Sequence, residues 1–204
     1  MKIAVIGTGN VGGALARKWA RAGHRVTLGV RNTTEFKGKE LLDEKNISVA
    51  EIEEAVKKSD VILIAAVPQA TADIVKLMGN VSGKVIIDAM NSVRTKPDGF
   101  NNSFEALKAL ATSAEIVKCF NSVGFNVMAD TNFNETIADM YTAGTSERAK
   151  EVAKQLSIDA GFENCYNFGG DDKVALLEQF ALSWINLAMM QGQGREMIFK
   201  LIKR

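Results

Sequence analysis

A short β-branched run, Lys2 to Ile6, leads without a break into Gly7-Thr8-Gly9-Asn10-Val11-Gly12, and a helical pattern follows from Val11 to Ala22. This junction restricts the fold more than any other feature of the chain. Gly7 permits the tight turn, Gly9 lets a ligand come close to the backbone, and Gly12 lets the helix pack closely on the strand. The first turn of such a helix presents unpaired N–H groups and a partial positive charge, which suit a phosphate. A glycine-rich turn without a ligand is the alternative. Against it, G-x-G-x-x-G stands here between a strand and a helix, with a second strand at Arg25 to Val30 closing a unit of about 30 residues, the context in which the motif signifies dinucleotide binding.

The alternation of strand and helix continues. Gly23 ends the first helix, and a charged helix is expected over Glu35 to Glu44. Ser48-Val49-Ala50-Glu51 reads as a capping box that starts a helix at Ser48 and carries it to about Lys58. Val61 to Ala65, Lys84 to Asp88 and Ile116 to Phe120 are continuously apolar or nearly so, as buried strands are. Helices are expected from Gln69 to Met78, from a Ser103 cap to Leu110, and from Ser146 to Ala160. Met140 to Ala143 and Phe162 to Asn167 complete the strands. From Asp172 the pattern is helical, with Val174, Leu177, Ala181, Trp184 and Leu187 in register; Gly192 and Gly194 interrupt it before Met197, Ile198 and Leu201 resume it. The expected fold class is α/β, a Rossmann-type doubly wound and mainly parallel sheet with a short C-terminal helical portion.

Composition narrows the chemistry. The chain has 204 residues, with 25 basic and 24 acidic side chains and a formal charge of +1. That balance gives no electrostatic reason to expect nucleic acid or an anionic membrane as partner. The longest strongly apolar run, Val61 to Val67, is far shorter than a membrane span. The chain reads as cytoplasmic. One histidine and two cysteines build no recognisable zinc or redox motif, so no metal site is expected. His24 precedes the second strand, at the edge of the sheet away from the glycines, and reads as structural. Cys119 and Cys165 read as buried small hydrophobes.

The end of the second strand bears on which dinucleotide fits. An acidic side chain there holds the ribose 2′-hydroxyl of NAD. This chain reads Leu28-Gly29-Val30-Arg31-Asn32-Thr33-Thr34, with no carboxylate before Glu35. Arg31 can make a planar, charge-assisted contact to a 2′-phosphate, Asn32 can donate a hydrogen bond, and Lys37 can add charge. NADP is therefore favoured, with Arg31 as a solvated loop cation the alternative. Ligands of such sheets lie beyond the carboxyl ends of the strands. There Val67, Pro68 and Met90 would offer an apolar surface, or else simply pack. Asn91 and Asn121 could hydrogen-bond a ribose or carboxamide.

The segments Gly7 to Gly12, Gly29 to Arg31, Ala66 to Pro68, Ile87 to Asn91 and Lys118 to Gly124 occur in an order and spacing that resemble the coenzyme F-420-dependent NADP oxidoreductase family. Trp184 to Ala188 and Gln191 to Glu196 resemble that family's C-terminal segment. The resemblance implies hydride transfer between nicotinamide C4 and a deazaflavin ring, with a flavin as another possible acceptor. It implies that Thr8, Gly9, Asn10 and Val11 bind the pyrophosphate, Val30 and Arg31 the 2′-phosphate, and Val67 with Ala89, Met90 and Asn91 the nicotinamide side. Where the family often has serine, Val30 offers one hydrogen bond fewer. The resemblance also implies a homodimer and a C-terminal portion that closes over the nicotinamide. Residues 1–144 are expected to form the NADP-binding part, and 145–204 a sheet-completing segment plus C-terminal helices of the same unit. No side chain is expected to act as general acid or base, because two stacked rings need proximity and shelter from water. Two alternatives stand beside this reading: a small dehydrogenase resembling pyrroline-carboxylate reductase, for which the 60 residues after Gly144 look too few, and a non-catalytic NADP-binding regulatory module.

Overall fold

The computed structural model describes all 204 residues. Ten strands form: β1 Lys2–Ile6, β2 Arg25–Val30, β3 Ile47–Glu51, β4 Val61–Ile64, β5 Val85–Asp88, β6 Glu115–Cys119, β7 Asn132–Phe133, β8 Thr136–Ile137, β9 Met140–Ala143 and β10 Cys165–Gly169. The seven α-helices are α1 Asn10–Arg21, α2 Ile52–Lys57, α3 Thr71–Met78, α4 Ser103–Leu110, α5 Phe125–Ala129, α6 Glu147–Asp159 and α7 Val174–Ile185. Eight strands make one sheet in the order β10-β9-β6-β5-β4-β1-β2-β3, and β7 and β8 make a separate hairpin. All pairings in the large sheet are parallel except β6 with β9. The expected α/β class and mainly parallel sheet are what forms.

Side chains of a strand alternate between faces, and the core follows that rule. Ile3, Val5, Leu63 and Ile87 enter one buried cluster, whereas Ala4, Ile6, Ile62, Ile64 and Ile86 enter a second. Helices cover both faces, which is why these strands read as unbroken apolar runs. Trp19 from α1 anchors the first cluster; it is fully buried, donates from Nε1 to the Leu156 carbonyl at 2.8 Å, and meets Phe120 edge-on at 5.6 Å.

Several local expectations are corrected. Residues 47–51 form strand β3 rather than the start of a helix, paired in register with β2 from Val26↔Ile47 to Val30↔Glu51. The ladder, with Ile47 and Val49 packed on the core, outweighs the few N–H groups a Ser48 cap would satisfy, and Glu51 becomes the N-cap of α2. The charged helix expected over residues 35–44 shrinks to a 3-10 turn, Lys39–Asp43, because Gly38 adopts a left-handed φ of 89°. Asn102, not Ser103, caps α4, accepting from the Glu105 N–H at 2.8 Å. The last strand begins at Cys165 rather than Phe162, whose side chain is buried in the core. Neither α5 nor the β7–β8 hairpin was expected.

The tail differs most. After α7 a π-helical turn covers Asn186–Met190, and no helix forms beyond Gln191. Gly192 and Gly194 have φ of 71° and 85°. Carbonyls that a helix would use go elsewhere: Met197 accepts from Trp184 Nε1 at 2.8 Å, and Phe199 from the Tyr141 hydroxyl at 3.1 Å. Burial pushes the Tyr141 hydroxyl up to about 12, so it remains a donor throughout the neutral range. The cations of the tail therefore do not sit in a helical last turn. Lys200 pairs with Asp139 at 2.9 Å and with Glu163, and Arg195 lies 5.7 Å over the Phe125 ring.

Candidate functional site

The carboxyl ends of β1, β2, β4, β5 and β6 share one edge of the sheet, and the turns that follow them meet there. Gly7 has φ of 93°, and a Cβ on it would fall within 2.6 Å of the Ala65 carbonyl carbon. A Cβ on Gly12 would lie 3.2 Å from Val5 Cγ1 and closer still to the Gly7 carbonyl. Both glycines are thus required by packing within the protein. Gly9 is not, because a Cβ there would meet nothing within 4 Å. It is the N-cap of α1, no side chain caps that end, and no acidic residue stands in the first turn. The helix therefore offers orphan N–H groups toward open space, and an anion fits that space.

Beside this turn lies a cavity of about 660 Å³. Of the residues expected at the site, Gly7, Thr8, Val30, Arg31, Asn32, Lys37 and Val67 line it. Gly9 and Asn10 line an adjoining cleft of about 210 Å³, which Lys37 also reaches, together with Arg17 and Phe125. Val11 and Gly12 belong to the first turn of α1. Thr8 does not hold its hydroxyl free: it donates to the Lys37 carbonyl and fastens the 35–38 loop to the glycine turn. Asn32 spends its Oδ1 on the Thr34 and Glu35 N–H groups, at 2.9 and 3.2 Å, leaving its amide N–H as donor. Arg31 is exposed at the cavity wall.

The apolar surface expected from Val67, Pro68 and Met90 is only partly present. Val67 is 62% exposed, but Pro68 and Met90 are buried, Met90 to 2%, because both side chains turn into the core. Ala89 is buried as well, at 7% exposure, and neither Ala89 nor Met90 lines the cavity. Asn91 and Asn121 are brought together as a pair: Asn91 Nδ2 donates to the Asn121 carbonyl at 2.8 Å, and Asn121 Nδ2 donates to Asn91 Oδ1 at 3.1 Å. Asn121 is 3% exposed and its Oδ1 has no partner. A buried acceptor left unpaired is uncommon; Asn126 Oδ1 is left in the same way. His24 is remote, bridging the Met1 amino group at 3.0 Å and Asp159 at 2.9 Å. Cys119 is fully buried, and burial pushes its thiol up, as expected of an inert side chain.

Sequence reasoning missed Phe36, Ala70, Ile74 and Leu77, apolar residues of the cavity wall, and Asp73, which with Glu35 places two carboxylates on the same wall. For Ala70 and Ile74 a signal existed, namely their four-residue spacing at the start of the helix after Pro68. It also passed over Asp88 and Lys118 as individuals. Asp88 ends the apolar run of β5 and Lys118 follows Ile116 and Val117 in β6, and each is fully buried.

Residues 2–92 match the family model described as NADP oxidoreductase, coenzyme F-420-dependent. The fold of the whole chain is similar to that of a protein from Arthrobacter sp. FB24 provisionally described as an F-420-dependent NADP reductase, with a TM-score of 0.86, 23% identity and 100% of both chains covered. It is also similar to a reductive aminase of Aspergillus terreus solved with NADPH and ethyl levulinate, with a TM-score of 0.71, 19% identity, and 94% of this chain and 62% of that one covered. Among curated proteins, the glycerol-3-phosphate dehydrogenase [NAD(P)+] of Thermoanaerobacter sp. (strain X514) is 24% identical over 216 residues, covering 87% of this chain; the chain spans 64% of that relative's length. The proteins with assigned reactions in this set are NAD(P)-dependent oxidoreductases. No helix is long and apolar enough to cross a membrane.

Proposed function

We propose that this chain is an oxidoreductase that binds NADP(H) at the carboxyl edge of the sheet and exchanges a hydride with a ring-type acceptor, a deazaflavin such as coenzyme F-420 or a flavin. The observation that carries the reading is the pairing of two features in adjoining cavities that share Thr8 and Lys37. An uncapped helix N-terminus opens beside Gly9, and β2 ends in Val30-Arg31 rather than in a carboxylate. The first suits a pyrophosphate and the second a 2′-phosphate. The family match over residues 2–92, and the NADPH held by the reductive aminase of like fold, support the same reading.

In this reading Gly7 and Gly12 shape the turn, while Gly9, Asn10 and Val11 hold the pyrophosphate through backbone N–H groups, with Thr8 securing the loop beside them. Arg31, Asn32 and Lys37 face the 2′-phosphate. Val67 and the backbone of Ala89 to Asn91 border the nicotinamide, and Asn121 Oδ1 accepts from its carboxamide. The bound nicotinamide supplies the hydride chemistry; the protein orients it and keeps water away, and no side chain serves as general acid or base. We assign residues 1–144 to nucleotide binding and residues 145–204, which hold α6, β10, α7 and an irregular tail, to completing the sheet and closing the site. The exposed apolar side chains of that tail, Met190 at 65% and Ile202 at 85% among them, support a homodimer through this segment.

The test is a steady-state and stopped-flow assay of NADPH oxidation against deazaflavin, FMN, FAD and ferric chelates. Oxidation above background with a ring acceptor is the expected result. Tight NADPH binding without turnover on any acceptor would overturn the enzymatic reading in favour of a binding module.

A further inference from the structure

Beneath the turn that follows β5 lies a charged cluster in the core. Lys118 Nζ, on β6, donates to Asp88 Oδ2 at 3.0 Å and to Glu178 Oε1 at 2.5 Å. The Lys118 and Asp88 side chains are wholly inaccessible, and that of Glu178, on α7, is 8% exposed. Each carboxylate uses its other oxygen on the backbone of the turn. Asp88 Oδ1 accepts from the Met90 N–H at 2.9 Å, and Glu178 Oε2 from the Ser92 N–H at 3.3 Å. Ser103 adds a bond from its hydroxyl to Asp88 Oδ2 at 2.7 Å, and its N–H donates to Ser92 Oγ at 3.0 Å. The Ala89 N–H goes to the Ile64 carbonyl at 3.0 Å.

The donors of residues 89, 90 and 92 are thus all turned into the protein. Burying two carboxylates around one ammonium is a costly way to stabilise a fold, since apolar residues of similar volume serve as well or better. What such a cluster offers instead is a fixed geometry. Here the fixed object is the segment Ala89 to Ser92, whose Asn91 pairs with Asn121. Glu178 joins that segment to α7, an element from the opposite end of the chain.

We infer that Glu178, Lys118 and Asp88 are positioning residues for the nicotinamide half of the cofactor: the lysine clamps both carboxylates, the carboxylates hold the 89–92 turn, and α7 acts on the site through Glu178. The inference rests on the NADP reading above. It requires that loss of the clamp weaken contacts to the nicotinamide while leaving the adenosine and phosphate contacts intact.

The experiment compares NADPH with 2′-phospho-ADP-ribose, which has every part of the cofactor except nicotinamide, by calorimetric titration of the full chain. Glu178→Gln keeps the side chain's size but leaves one oxygen for two donors. Glu178→Leu removes both contacts without leaving a buried charge at that position. Thermal melting without ligand checks that each variant is folded. Expected is a loss of about fivefold or more in NADPH affinity, about 1 kcal/mol, with 2′-phospho-ADP-ribose affinity unchanged. The emission of bound NADPH, which reports the nicotinamide ring, should move toward that of free NADPH. Variants that bind both ligands as the wild type does, or that lose both together, overturn the positioning role. Wild-type protein that binds neither ligand overturns the nucleotide reading itself, and the inference with it.

Discussion

Replacing Gly9 by alanine separates what the free protein needs at the glycine turn from what a bound nucleotide needs. The added Cβ would meet nothing within 4 Å, and φ of −74° is open to alanine. At an N-cap, alanine is worse than glycine by up to about 1 kcal/mol, while restricting the unfolded chain returns about 0.4–1 kcal/mol. The two nearly cancel, and a residual of about 1 kcal/mol moves Tm by only about 2–4 °C in a chain of this size. The nucleotide meets a different situation, because the methyl group stands where the pyrophosphate must approach. NADPH affinity should fall at least tenfold, about 1.4 kcal/mol. Gly12→Ala is the contrasting case, because its Cβ would overlap the Gly7 carbonyl oxygen, a backbone atom that cannot step aside as a flexible side chain can, and would also press on Val5 Cγ1 at 3.2 Å. Overpacking at or above the upper end of about 1–3 kcal/mol, less about 1 kcal/mol from better helix propensity, leaves a net loss of about 2 kcal/mol or more and lowers Tm by at least about 4–8 °C. The assays are thermal melting without ligand and NADPH titration by calorimetry. A Gly9→Ala protein that binds NADPH with wild-type affinity would refute the argument that this open face receives the pyrophosphate.

Three further outcomes can be measured. NADPH should bind at least about tenfold tighter than NADH, and Arg31→Ala should remove most of that difference; equal affinities in the wild type would sink the 2′-phosphate assignment. His24→Ala cuts the link between the Met1 amino group and Asp159, so Tm should fall while NADPH affinity stays constant, and a changed affinity would mean that this edge of the sheet communicates with the site. The Ser146 hydroxyl, and after it Arg148, hold the Glu115 carboxyl below its ordinary 4.5. The stabilisation is therefore present above that value and lost as pH falls through the lower folded one. Glu115→Gln should be less stable near neutrality by less than about 1 kcal/mol, with the difference closing in acid; a difference that persists in melts at low pH would contradict the ion-pair account.

The central strands and their helices were legible because burial on both faces writes itself as short apolar runs between helical patterns. Ile3 to Ile6, Val61 to Ile64 and Val85 to Ile87 could hardly be anything else. Edge elements were not legible in the same way. Ile47 to Glu51 carries a real capping-box pattern, and only its pairing with β2, information held by another segment, makes it a strand. The tail failed for a similar reason. The helical spacing of Met197, Ile198 and Leu201 is genuine, but the partners that defeat it, Trp184, Tyr141 and Phe180, lie far back in the sequence, the last meeting the Phe199 ring at 4.8 Å. In the site, glycines and Arg31 carry their meaning locally. The direction in which Met90 points does not, since residues at the end of a strand can turn either way, and here Met90 joins the core while its N–H binds Asp88.

The end of β6 shows how the fold keeps an unfavourable arrangement where a ligand can use it. Phe120 has φ of 60°, a left-handed conformation that bulky residues avoid and that costs of order 1–3 kcal/mol. It is held there by burial to 0% and by the rings of Trp19 at 5.6 Å and Phe162 at 6.4 Å. The strand's regular alternation stops at this residue, and the next one, Asn121, is turned toward Asn91 with Oδ1 buried and unpaired. Leaving that oxygen unpaired costs a further ~1–3 kcal/mol. The two costs differ in kind. Aromatic packing offsets the first in the free protein, whatever binds. The second is recovered when a donor, a water or a ligand N–H, reaches the oxygen. The turn at Phe120 thus fixes where Asn121 stands beside Asn91, and in the proposed reading a nicotinamide carboxamide is the donor from which its Oδ1 would accept.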